Sequence, residues 1–124
     1  MTDRDLLELA AKAAGLRVGR EPDGLERGRY DLYWSLAYRE LVWHGKSSGS
    51  EYPEPVCWNP LTDDGDALRL AVKLRMRVSA GQVDWVGNEY VGEFSTLEEV
   101  ASDPLAATRR AIVRAAAEIG RNTT

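Results

Sequence analysis

Two periods alternate along the chain. Leu6, Leu9, Ala10 and Ala13 recur at helical spacing, Thr2 and Asp5 have the spacing of a capping box, and Glu8 and Lys12 form an i,i+4 pair. A helix is therefore predicted over 3–14, with Gly15 as its stop. After a Pro-Asp-Gly turn in 21–28 the period changes to two. Tyr30, Leu32, Trp34 and Leu36 alternate with their neighbours, and so do Leu41 and Trp43, which favours two strands with a turn near 35–38. A helix is the alternative for 29–44, because Leu32, Leu36 and Arg39 also sit at helical spacing.

Residues 45–56 contain "GKSSGSEYPEP", which reads as a flexible loop, with Pro53 and Pro55 opposing any regular element. The helical period returns in "WNPLTDDGDALRLAVKL", 58–74, where Ala67, Leu70, Ala71 and Leu74 make an apolar stripe. Met76 and Val78, then Val83 and Trp85, alternate with polar neighbours and predict a hairpin turning near Ala80 and Gly81. A third strand is expected around Tyr90 to Phe94, and "STLEEV" can start a short helical turn. The last helix has Asp103 as its cap and Pro104 at its first position, with Leu105, Thr108, Ile112, Ala116 and Ile119 along one face. Gly120 is expected to end it, and 121–124 to fray. The order predicts one α+β domain over 1–124, a mostly antiparallel sheet of about 4–5 strands with helices packed on its faces.

Composition leaves this picture intact: 124 residues, 44% hydrophobic and 29% charged, describe one ordinary globular domain. A single cysteine, Cys57, excludes an internal disulfide and a multi-cysteine zinc site. The N-terminus lacks the apolar core of a signal peptide, and no apolar run approaches the roughly 20 residues of a membrane span, so a cytoplasmic protein is expected. The net charge of −4 disfavours broad binding to nucleic acid or anionic membranes. Cations nonetheless cluster at Arg69, Lys73, Arg75 and Arg77 and at Arg109, Arg110 and Arg114, which keeps local anion binding open.

The candidate chemistry is sparse. Asp63, Asp64 and Asp66 surround Gly65 like part of a calcium loop, but the helical stripe follows at once where such a loop would continue. They read first as helix-starting acids, each contributing about 0.5–1 kcal/mol, with a ligand contact or a metal as alternatives. No metal or cofactor is assigned. His44 has a pKa range suited to acid–base work but no partner at catalytic spacing, and Cys57 reads as buried rather than nucleophilic. Four tryptophans and five tyrosines against one phenylalanine favour surfaces that are both apolar and hydrogen-bonding. Trp34, Trp43 and Trp58 are the candidates for stacking on a ligand, with Arg69, Lys73 and Arg109 for its negative charge.

The segments "LLELAAKAAGL" (6–16), "WNPLTDDGDALRLAVKL" (58–74) and "DPLAATRRAIVRAAAEIG" (103–120), in this order, resemble the phage ABA-sandwich or NinX-like family of small bacteriophage and prophage proteins. The resemblance spans nearly the whole chain and places Trp58, Asn59, Pro60, Asp63, Asp64 and Asp66 on the family's motif. It implies a phage accessory protein in an infected bacterial cytoplasm and supplies no reaction. The resulting expectation is a non-enzymatic, oligomeric protein that sequesters a small anionic, nucleotide-derived host defence signal. The alternatives are an adaptor or inhibitor that binds a host protein, and a metal-assisted hydrolase using the acids of 63–66.

Overall fold

The computed structural model describes residues 1–20, 29–47, 55–79, 82–85 and 102–122. Thr2 starts helix α1 (Asp3–Ala13) through a reciprocal capping box: its Oγ1 accepts from the Asp5 amide at 3.2 Å, and Asp5 Oδ2 accepts from the Thr2 amide at 3.0 Å. The Thr2 amide and then its hydroxyl, both donating to Asp5 Oδ2, hold that carboxyl below its ordinary range. The helix ends in a Schellman turn, in which Gly15 (φ 77°) donates to the Lys12 carbonyl and Leu16 to that of Ala11. Its buried face centres on Leu7, Ala10 and Ala11, one position round from the predicted stripe of Leu6, Leu9, Ala10 and Ala13. Glu8 does not pair with Lys12. Its Oε1 accepts from Trp34 Nε1 at 2.6 Å and from Arg20 Nη2 at 3.0 Å, bonds across the fold that a helix-only pattern does not contain.

The next four elements form an open mixed sheet, β1 (Val18–Arg20), β2 (Leu32–Trp34), β3 (Leu41–Ser47) and β4 (Pro55–Trp58), in that spatial order. Two of the three pairings, β2–β3 and β3–β4, are antiparallel, and β1–β2 is parallel. The two-strand reading of 29–44 holds. The turn spans 35–40 and closes with the Ser35 amide on the Glu40 carbonyl and the Arg39 amide on the Ser35 carbonyl, so Leu36 is exposed there and not on a strand. Both ends of the predicted loop 45–56 are strand: β3 runs on to Ser47, and Pro55 opens β4 opposite it, a first-residue position where proline costs no ladder bond, while 48–54 lie outside the described residues. The inner face carries Leu32, Trp34, Leu41 and Trp58 into the core shared with α1 and the next helix.

Helix α2 (Asp64–Lys73) is capped by Asp63, whose Oδ2 accepts from the Asp66 amide at 2.8 Å. Ala67, Leu70 and Ala71 are buried, as its stripe predicts. Strands β5 (Met76–Ser79) and β6 (Gln82–Trp85) pair antiparallel, with Ser79 opposite Gln82, and the expected turn at Ala80 and Gly81 lies outside the described residues. The expected strand around Tyr90 to Phe94 and the turn in "STLEEV" lie outside the described residues. Helix α3 (Pro104–Arg121) is capped by Asp103, whose Oδ1 accepts from the Ala106 amide at 3.1 Å.

Two expectations for α3 are corrected. The single face led by Leu105 is replaced by burial on several sides, at Ala107, Ala111, Ile112, Val113, Ala115, Ala116 and Ala117, because α1, α2 and the hairpin all pack on this helix; Leu105 is exposed. Gly120 does not end the helix, which continues through Arg121 to an Asn122 cap. A Cβ at Gly120 would lie 2.0 Å from the Leu9 carbonyl oxygen, so the residue is there for the close approach of α1. The whole is an α+β fold, and none of its described helices is long and apolar enough to cross a membrane.

Candidate functional site

The inner sheet face and α2 diverge on one side, leaving a cleft of about 520 Å³ lined by Ala14, Leu16, Trp43, Val56, Trp58, Asp66, Arg69, Leu70 and Lys73. Each wall has a local cause. The Schellman turn after α1 swings Leu16 inward. The antiparallel registers of β2–β3–β4 pair Leu32 with Trp43 and Leu41 with Trp58, and set both indoles on the face towards the helices. On α2, Asp66, Leu70 and Lys73 follow one another at i, i+4 and i+7, with Leu70 buried beneath. Four of the six predicted ligand residues, Trp43, Trp58, Arg69 and Lys73, therefore meet in one place.

Trp34 and Arg109 lie elsewhere. Trp34 is 7% exposed, its Nε1–H is given to Glu8, and Arg4 sits over its ring at 4.4 Å from the centroid. Arg109 donates through Nε to the Leu61 carbonyl at 2.9 Å and through Nη1 to Asp64 Oδ1 at 2.7 Å, which ties α3 to the start of α2. Period-two spacing puts Trp34 and Trp43 on the same sheet face but says nothing of which helix covers each.

The acids of 63–66 have separate duties. Asp63 caps, Asp64 holds Arg109, and Asp66 is buried with both oxygens engaged: Oδ2 accepts from the Asn59 amide at 3.0 Å and Oδ1 from Arg69 Nη2 at 2.7 Å. Asn59 fixes the loop before the cap, its Oδ1 accepting from the Leu61 amide and its carbonyl from the amides of Thr62 and Asp63. Among the described residues no three potential metal-ligating side chains cluster. The guanidinium of Arg69 also lies 3.8 Å from Asp63 Oδ2, while Lys73 has no hydrogen bond or ion pair among the described residues. Asp66 is the lining residue whose role the sequence hid, since an acid at this position looks like any first-turn helix acid.

Cys57 and His44 stand on the opposite sheet face from the cleft indoles. Burial, then the neighbouring Glu40 and Asp66, push the Cys57 thiol up to about 11, which keeps it protonated at neutral pH. His44 packs its ring against Tyr33, with centroids 4.7 Å apart. No family model, no curated protein and no solved structure matches the chain.

Proposed function

We propose that the protein is a non-enzymatic binder of a small anionic, nucleotide-like ligand, held in the cleft between α2 and the sheet. One observation carries the reading: two indoles and two cationic side chains line the same cleft. Its volume falls within the roughly 300–1,000 Å³ usual for small-molecule sites. Trp43 and Trp58 offer apolar ring surface, and Arg69 and Lys73, one helical turn apart on α2, are the cations beside it. The resemblance of the three helical segments to phage ABA-sandwich, NinX-like proteins favours an accessory role in an infected bacterial cytoplasm, where the ligand is a host defence signal. Native mass spectrometry and thermal shift against a nucleotide panel test this. A one-to-one adduct with a rise in melting temperature is expected, and no adduct and no shift at millimolar ligand refutes it.

A second reading, an adaptor for a host protein, draws on Leu68 and Val72, which are both exposed and one turn apart on α2. Pull-down from host lysate with the Leu68→Asp variant as control separates the two. Stoichiometric recovery of one protein, lost in that variant, favours the adaptor.

A further inference from the structure

The charge arrangement in the cleft narrows the ligand further, taking the nucleotide-binding reading above as its premise. Among the described residues the lining charges are Asp66, Arg69 and Lys73, one cation in excess. They are not equivalent. Arg69 is clamped at 2.7 Å by a carboxylate that is itself only 6% exposed, and a second carboxylate, Asp63, lies 3.8 Å from it. Its charge is largely answered before any ligand arrives. Among the described lining residues Lys73 is the cation left over, seven residues along the helix from Asp66, or about 10 Å at the α-helical rise.

Moving an anion from water into such a cleft costs free energy that grows as the square of its charge, whereas its attraction to a fixed surplus cation grows only in proportion. One free ammonium therefore compensates one negative charge. A dianionic phosphate would bring a second charge with no free partner among the described residues and with Asp66 nearby. Each Asp66 oxygen keeps a lone pair beyond the bond it already makes, so a ring bearing N–H donors is accommodated at that end.

We propose that the cleft selects a singly charged phosphodiester over a phosphomonoester, with the phosphate at Lys73 and the donor-bearing ring towards Asp66. Lys73 then supplies affinity, and Asp66 and Asp63 set selectivity through Arg69.

The test is calorimetric titration of the full chain at pH 7.5 with adenosine, adenosine 5′-methylphosphate and AMP, and with the guanine counterparts. The three members of each series share a body and differ by one negative charge at a time. The methylphosphate of at least one series should bind roughly fivefold to tenfold more tightly than both its nucleoside and its monoester. Lys73→Gln should erase the advantage over the nucleoside. Asp63→Asn, which preserves the helix cap, should narrow the gap between diester and monoester. A monoester that binds more tightly than the methylphosphate in the unmodified protein overturns the selectivity and leaves the cleft a nucleotide site. Failure of every compound, nucleosides included, to bind at millimolar concentration overturns the nucleotide reading itself and the selectivity with it.

Discussion

Gly120→Ala is the sharpest test of how the scaffold sets the cleft. The added methyl would stand 2.0 Å from the Leu9 carbonyl oxygen, more than 1 Å short of ordinary contact at 3.4 Å, and 2.8 Å from its carbon. The obstacle is backbone inside α1, which no side-chain rotation relieves. Overfilling a packed contact costs about 1–3 kcal/mol. Replacing glycine by alanine within a helix returns about 1 kcal/mol. With the obstacle at the severe end, the net loss should be about 1–2 kcal/mol, or roughly 3–8 °C in melting temperature for a domain of this size. The consequence reaches the site, because α1 leads directly into Ala14 and Leu16 of the cleft wall. Urea denaturation and differential scanning calorimetry measure the loss, with Gly15→Ala as contrast. There nothing lies within 4 Å of the added methyl, and the cost is only that of a left-handed alanine, about 1 kcal/mol. An unchanged or raised melting temperature for Gly120→Ala would refute the close α1–α3 contact.

Other outcomes follow from single residues. Arg75 has φ 57° just beyond α2, so Arg75→Gly should stabilise the fold by about 0.5–1 kcal/mol in chemical denaturation. The Cys57 thiol, held up to about 11, should react with iodoacetamide at pH 7.5 about 100-fold more slowly than free cysteine, accelerating about tenfold per pH unit. Its raised value also means that its contribution to stability is intact below the ordinary thiol range and declines as pH rises towards about 11, read from melting temperatures. Asp31 is held below the ordinary carboxylate range by the Arg17 side chain and amide, so its stabilisation is present above that range and lost as pH falls through its lowered value. Asp31→Asn should flatten the acid limb of the stability profile.

The parts of the fold written in adjacent residues were legible from the chain alone. Asp103 followed by Pro104, and the acids of 63–66 followed by the stripe from Ala67, mark the two helix starts in the chain, and Asp63 and Asp103 each accept from the amide three residues on. Gly15, a left-handed residue after an amphipathic run, marked the end of α1. Strand β1 was not foreseen. Val-Gly-Arg is too short to show a period, and its parallel partner β2 is held partly through Asp31, fourteen residues from Arg17. Gly120 misled because a glycine near a helix end serves equally as a terminator or as room for a crossing backbone, and only the position of Leu9 decides.

The candidate site divides in the same way. Arg69, Leu70 and Lys73 share one helix, so their grouping follows from its period. The separation of Trp34 from Trp43 and Trp58 depends on Glu8 and Arg4 of α1 reaching across the sheet, which no local pattern encodes. Asp66 was legible as a helix-starting acid but not as the clamp on Arg69 and the Asn59 amide, since that needs the bend made by Asn59 and Pro60.

The indole N–H signals in a 1H–15N spectrum, followed through a nucleotide titration, show whether the ligand sits in the cleft. Binding in the cleft should shift the Trp43 and Trp58 signals together and saturably, while Trp34, sealed against Glu8, stays in place. A shift at Trp34 with Trp43 and Trp58 unmoved, or no indole shift at millimolar ligand, would contradict it.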